Sequence, residues 1–280
     1  MQHTERLKGV MICGAGHSGS TLLGMILGGI PGAFYMGEGG KARYLHDEKK
    51  PLRKRVCKIC GEACPVWPKF HWDRNRALYA QIADHVDARI IIDSTKDANW
   101  ITERTAELLD GDDLPHLIFL TRDGRAVINS RIRKYPERDP QDQIDSWVDQ
   151  ITNSQALFDA FDGPKLKLRY EDLATQPEAT ARELCVFLGE PYDPAMLDFQ
   201  GNEQHPLGGN SGTQYVAARG QLDSPEQAFV TLTDRTRSYY EKHSGDISLD
   251  LRWKTEMSEA HLAQFNKSAG VFNQSMAWEG

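Results

Sequence analysis

Apolar positions follow two alternating rhythms along the chain. Short apolar runs at residues 7–13 (LKGVMIC) and 89–93 (RIIID) predict buried strands, and 117–120 (LIFL) and the alternating 165–169 (KLKLR) predict a third and a fourth strand. Stretches with apolar residues three and four apart predict helices over 20–27, 99–109, 124–134, 142–161 and 177–188. The last of these opens on Pro177, a residue whose fixed φ suits the first helical position. Strands separated by helical crossovers build βαβ units. The expectation is therefore an α/β fold with a central parallel sheet flanked by helices on both faces. Such sheets bind ligands beyond the carboxyl ends of their strands. Two segments break the rhythm. Residues 39–73 form a long polar insertion holding three cysteines and the basic run Lys49, Lys50, Arg53, Lys54 and Arg55. Residues 200–222 are rich in glycine and asparagine and have no period, as an active-site cover would. No internal repeat or linker is visible, so one domain over 1–280 is expected, carrying these two insertions.

Composition narrows the function classes. With 40% apolar and 26% charged residues, the 280-residue chain has the make-up of a folded protein. Lys and Arg number 33 against 40 Asp and Glu, a net charge of −7, which argues against nucleic-acid or membrane-surface binding while allowing a local basic pocket. The most apolar stretch, 10–30, is interrupted by Gly14, His17, Ser18, Ser20 and Thr21, so no membrane span is expected. The amino-terminal MQHTERLKGV lacks the apolar region of a signal peptide, and a cytoplasmic protein is the expectation.

The candidate chemistry begins after the first strand. GAGHSGST, residues 14–21, joins strand to helix, and its glycines let backbone N–H groups face an anion at a helix N-terminus. The spacing from Gly14 to Gly19 mimics the Walker loop, which makes the expected fold P-loop-like. The lysine that such a loop places on the β- and γ-phosphates is here Ser20, which disfavours ATP hydrolysis. The same spacing also suits a plain tight turn with a serine cap. Lys96 in DSTKD follows the second strand. Arg122 in TRDGRAVINS follows the third, with Ser130 on the next helix, where the two can grip one phosphate from two sides.

Taken in order over residues 7–199, these segments resemble the sulfotransferases that use 3′-phosphoadenosine-5′-phosphosulfate (PAPS), in a bacterial branch similar to the tyrosylprotein sulfotransferases. The resemblance implies that Gly16, His17, Ser18, Gly19, Ser20 and Thr21 hold the 5′-phosphosulfate and that Arg122 and Ser130 hold the 3′-phosphate. It implies that Tyr170 in LRYEDL lies near the adenine and that Lys96 supports the transferring sulfuryl group. Glu38 in MGEGGKAR matches the position of the family's base, a role that burial would favour by raising its pKa toward neutrality. His17 stands where many relatives carry Lys or Arg, and is the rival base. His205, Asn210 and Arg219 are further candidates in the 200–222 segment. The implied reaction moves a sulfuryl group from PAPS to a hydroxyl or amine, leaving 3′,5′-adenosine bisphosphate (PAP), and requires no metal. A small molecule or carbohydrate is favoured over a protein as acceptor, and a homodimer is compatible with the family. The competing readings are a P-loop-type nucleotide kinase, for which Asp93 would have to serve magnesium, and a noncatalytic nucleotide-binding module.

Cys57, Cys60, Cys64 and His71 make a C-x2-C-x3-C-x6-H pattern. Structural zinc, a disulfide, and free thiols packed against Trp67, Phe70 and Trp72 all remain open, and no metal is assigned to the site. The cluster's place directly after Glu38 predicts that it lines the acceptor pocket.

Overall fold

The computed structural model describes residues 6–224, 227–242 and 246–280, without the side chains of residues 234, 235, 241 and 242. The first five residues of the amino-terminal stretch fall outside it. Strand β1 (Lys8–Gly14) is followed by helix α1 (Ser20–Gly28) and strand β2 (Ala33–Gly37). Then come α2 (Leu78–Val86), β3 (Ile90–Asp93), α3 (Ala98–Asp110), β4 (Leu114–Thr121), α4 (Gly124–Lys134) and α5 (Pro140–Ala160). Strand β5 (Lys165–Arg169) leads into α6 (Tyr170–Thr175) and α7 (Pro177–Leu188). Helices α8 (Ser211–Gln221), α9 (Asp234–Lys242), α10 (Trp253–Glu256) and α11 (Glu259–Asn273) complete the order.

The five strands form one sheet in the order β2-β3-β1-β4-β5, with every pairing parallel. Val10 of β1 lies level with Ile92 on one side and His116 on the other. Helices cover both faces, so the inner strands are apolar on both sides: Val10, Met11, Ile12, Ile90, Ile91 and Ile92 are all buried. This is the P-loop-like α/β architecture expected from the alternating rhythm. The chain steps from β1 outward to β2, returns to β3, then crosses over to β4, which makes the carboxyl end of β1 the topological switch point.

The differences from the sequence reading lie in the two insertions and in elements it did not predict, strand β2 and helices α2, α6, α9, α10 and α11. Strand β2, five residues long, was not expected. The 39–73 segment contains three 3-10 turns, and its Trp67 and Phe70 enter the core. The 200–222 segment is not an aperiodic cover throughout: Asn210 caps α8 by accepting from the Thr213 amide at 3.1 Å. At the carboxyl terminus, α11 packs on α5 through Phe265 and Trp147, whose rings are 5.5 Å apart. Asn273 accepts from the Gly124 amide at 2.7 Å, fixing the start of α4. Among the described residues no helix is long and apolar enough to cross a membrane.

Candidate active site

Each of the five strands delivers a side chain or loop to one cavity of about 340 Å³. Gly16, His17, Gly19, Ser20 and Thr21 follow β1; Glu38 follows β2; Lys96 follows β3; Arg122 follows β4; Tyr170 follows β5. Ser130 of α4 lines the same cavity.

The loop after β1 turns through two positive-φ residues, His17 (75°) and Gly19 (93°). Gly19 occupies the cap position of α1, and no side chain caps that helix. The first bond of the helix runs from the Leu23 amide to the Gly19 carbonyl at 3.1 Å. The amides of Ser20, Thr21 and Leu22 therefore have no partner within the helix, and they carry its partial positive charge into the cavity. This arrangement removes the serine-capped turn from consideration. Ser18, buried at 1% exposure, has a hydroxyl with no protein partner and does not line the cavity. The Gly16 amide is already engaged, donating to Gln150 Oε1 at 2.9 Å, so Gly16 shapes the loop and has no free donor to offer.

Gly19 is required for a second reason. A Cβ built there would lie 2.6 Å from the Tyr170 ring. Gly19→Ala combines this clash with a left-handed backbone and is expected to cost about 1–3 kcal/mol of stability. Thermal unfolding beside nucleotide affinity measures the effect, and both should fall.

His17 joins the two residues expected to share a phosphate. Its carbonyl accepts from Arg122 Nη1 at 3.0 Å, and its Nδ1 meets Ser130 Oγ at 2.8 Å. Enclosure, then the charges of Lys134, Arg131, Arg122 and Lys96, push its pKa down to about 3. His17 is therefore a neutral imidazole at neutral pH and a weak base. Arg122 also stacks over Tyr170, with the guanidinium 4.3 Å from the ring centroid, and its buried Nε has no partner.

Glu38 and Lys96 lie at the other end of the row. Glu38 Oε2 contacts Lys41 Nζ at 2.6 Å. Burial would raise its pKa, but Lys41 and Lys96 outweigh that and hold the carboxyl below its ordinary value. The expected shift toward neutrality is thus reversed by two adjacent ammonium groups. Burial lowers the pKa of Lys96, while Glu38 and Asp93 oppose the change. Lys96 Nζ donates to the Ser94 carbonyl at 2.7 Å.

Asp93 closes the kinase question. Its Oδ1 accepts from the amides of Gly39 at 2.9 Å and Thr95 at 2.7 Å; its Oδ2 accepts from Tyr79 and Trp100, both at 2.8 Å. A carboxylate occupied by four donors anchors the Glu38 and Lys96 loops and is not disposed toward a magnesium ion.

Several expectations do not reach the cavity. Arg219 is exposed on α8, and the basic run of the insertion is largely solvated, with Lys49, Lys50, Arg53 and Lys54 exposed. The insertion's cysteines do not line the cavity, and neither does His205, which lies among them. Asn210 does line it, with its amide on Thr21 Oγ1 at 2.8 Å. Sequence reasoning missed Lys134, Tyr239, Asp250 and Arg252, all of which line the cavity. Asp250 pairs with Arg252 through two 2.7 Å contacts and with Arg122 at 3.3 Å. These guanidinium groups hold its carboxyl far below the usual range despite burial. Four basic side chains, Lys96, Arg122, Lys134 and Arg252, thus face Glu38, Asp246 and Asp250 around a concave site in an acidic chain.

A model of the sulfotransferase family matches residues 9–194. Among solved structures, the chain is similar to the sulfotransferase domain from the curacin biosynthetic pathway, at 19% identity and TM-score 0.56, over 85% of this chain and 98% of that one. It is similar to the sulfotransferase domain of the Synechococcus PCC 7002 olefin synthase, at 22% identity and TM-score 0.53, over 86% and 96%. Mouse sulfotransferase SULT7A1, solved with PAP, gives 9% identity and TM-score 0.50 over 97% and 89%. No curated protein sequence matches the chain.

Proposed function

Because the chain belongs to the sulfotransferase family, we propose that it moves the sulfuryl group of PAPS to a hydroxyl or amine acceptor, a small molecule or carbohydrate rather than a protein. The observation that carries this reading is the order of side chains across the sheet. Tyr170, Arg122, the β1 loop, Lys96 and Glu38 follow strands β5, β4, β1, β3 and β2 in their spatial sequence. From β4 to β2 is three strand spacings, roughly 14 Å. The row suits a nucleotide lying across the strand ends: adenine at Tyr170, 3′-phosphate at Arg122 and Ser130, 5′-phosphosulfate at the β1 loop and Lys96, acceptor at Glu38. Arg252 and Lys134 add charge on the 3′-phosphate side. The PAP bound in the mouse relative supports the donor.

In the reaction, Glu38 takes the proton of the acceptor as its oxygen or nitrogen attacks sulfur. The bond between sulfur and the bridging oxygen breaks, and its electrons go to the 5′-phosphate of the departing PAP. Lys96 and the amides of Ser20, Thr21 and Leu22 stabilise that charge, and the protein's main contribution is positioning. His17 Nδ1 meets Ser130 Oγ on the 3′-phosphate side of the row, which favours Glu38 over it as base. His17 instead orients Arg122 and Ser130. Transfer of label from sulfur-labelled PAPS, screened across phenols, alcohols, amines and sugars, tests the reading. Labelled product with at least one class is expected; PAP binding without transfer to any would leave a noncatalytic nucleotide-binding module.

Arg122→Ala is expected to weaken PAP binding by about 2–4 kcal/mol, because a guanidinium fork to phosphate is lost from a buried site. Adenosine 5′-monophosphate, which lacks the 3′-phosphate, should show the same loss on wild-type protein. The two losses should not add, since both remove one interaction. Unchanged PAP affinity in Arg122→Ala would remove Arg122 from the 3′-phosphate.

A further inference from the structure

The cysteine pattern of the insertion finds its fourth member far away in sequence. The thiols of Cys57, Cys60 and Cys64 and one imidazole nitrogen of His205 all lie within 4.8 Å of one another. His71, the histidine that sequence spacing offers, stacks instead on His46, ring centroids 4.3 Å apart. From these four groups we propose that the protein binds one structural zinc ion, held by Cys57, Cys60, Cys64 and His205.

Four observations carry the assignment. The first is donor geometry. His205 Nδ1 is 3.4 Å from Cys60 Sγ and 3.6 Å from Cys64 Sγ. Zinc–sulfur bonds of about 2.3 Å and a zinc–nitrogen bond of about 2.0–2.1 Å at tetrahedral angles require sulfur–nitrogen separations of roughly 3.5 Å. The second is the far side of the imidazole. His205 Nε2 lies 2.8 Å from Glu203 Oε1, so the carboxylate fixes the proton on Nε2 and turns the Nδ1 lone pair toward the thiols. That is the outer-shell arrangement of metal-bound histidines. The third is support for negative sulfur. The amides of Ile59 and Cys60 point at Cys57 Sγ, at 3.4 and 3.5 Å, and Gln221 Nε2 points at Cys60 Sγ at 3.8 Å. The turn that aims them closes through the Gly61 amide on the Cys57 carbonyl at 3.1 Å, with Gly61 at φ 62°. The fourth is closure. Cys57, Cys64 and His205 are buried and Cys60 half-buried, a sealed set of four protein ligands as in structural sites. Each thiol gives its proton to solvent on coordination, so loading releases protons.

The site would join two segments with little regular structure of their own. His205 is two residues from Leu207, whose amide donates to the Met36 carbonyl at 2.9 Å and whose carbonyl accepts from the Glu38 amide at 2.5 Å. The Lys58 amide donates to the Pro206 carbonyl at 2.9 Å, and Trp67 Nε1 to the His205 carbonyl at 2.6 Å. The ion would therefore lock the backbone that carries Glu38 without touching the reacting atoms. The assignment stands on the ligand set alone and does not depend on the sulfuryl-transfer reading.

The test is metal content of the purified full chain, with the coordination shell read by X-ray absorption at the zinc edge. About one zinc per chain is expected, with three sulfur neighbours near 2.3 Å and one nitrogen near 2.0 Å. His205→Gln should lower zinc at least tenfold after dialysis against a mild chelator, and His71→Gln should keep it. If His205→Gln does not fold, cobalt substituted into wild-type protein gives the second reading: tetrahedral thiolate spectra support the site. Wild-type protein that holds less than about 0.1 zinc per chain and does not take up zinc or cobalt overturns the proposal. So does retention of full zinc in His205→Gln, or a disulfide among the three cysteines of protein isolated without reductant.

Discussion

Glu38→Gln is expected to bind PAP as tightly as the wild type yet transfer sulfuryl groups about 10²–10⁴-fold more slowly. The substitution keeps size and hydrogen bonding but cannot accept a proton. Its loss should be largest for alcohols and should shrink for acidic phenols, which need less help in losing theirs. The pH profile follows from the charges at the site. A base must act as the carboxylate, and Lys41 and Lys96 hold the pKa of Glu38 below its ordinary value of 4.5. The rate should thus rise with pH only through an acid limb below that value and be flat across neutrality as far as Glu38 is concerned. His17, depressed to about 3, adds no limb near neutrality either. A limb near pH 6.5 that disappears in His17→Gln, with Glu38→Gln active on a high-pKa alcohol, would transfer the role of base to His17.

Lys96→Ala is expected to lower turnover about 10²–10³-fold, the range for removing one group aimed at developing charge. Its effect on PAP affinity should be much smaller. The distinction rests on where the charge grows: only interactions stronger in the transition state than in the bound state raise the rate. Lys96 stands between the Ser94 carbonyl and the field of Glu38, and lines the same cavity as the β1 loop. Single-turnover transfer beside a PAP titration separates the two quantities. Equal losses in both would make Lys96 a binding residue.

What could be read in the chain was local. The β1 loop, Lys96, Arg122 with Ser130, and Tyr170 each follow a strand closely, so apolar period and residue type locate them together. Strand β5 was legible because Leu166 and Leu168 alternate with basic residues, and helix α4 because apolar positions three and four apart resume directly after the third strand's loop. Strand β2 was not, since AFYMG is short and begins directly after a glycine turn. Helix α8 hid among glycines and polar residues, and is held by packing of Val216, Ala217 and Ala218 more than by pattern. Arg252 and Asp250 reach the cavity from a segment with no motif, and only the fold brings them to Arg122. The fourth member of the cysteine set was invisible for the same reason: 141 positions separate Cys64 from His205. The pKa of Glu38 also escaped, because burial alone points upward and the opposing lysines count only once their distances are known.

The central claim is that a 3′-phosphorylated adenine nucleotide lies across these strand ends, and calorimetric titration with PAP beside magnesium ATP tests it most directly. PAP should bind with one site per chain and at least tenfold more tightly than ATP, since Arg122 and Ser130 meet a 3′-phosphate and no lysine stands at residue 20 to meet a γ-phosphate. ATP binding as tightly as PAP, or PAP giving no heat at any temperature tried, would contradict the account.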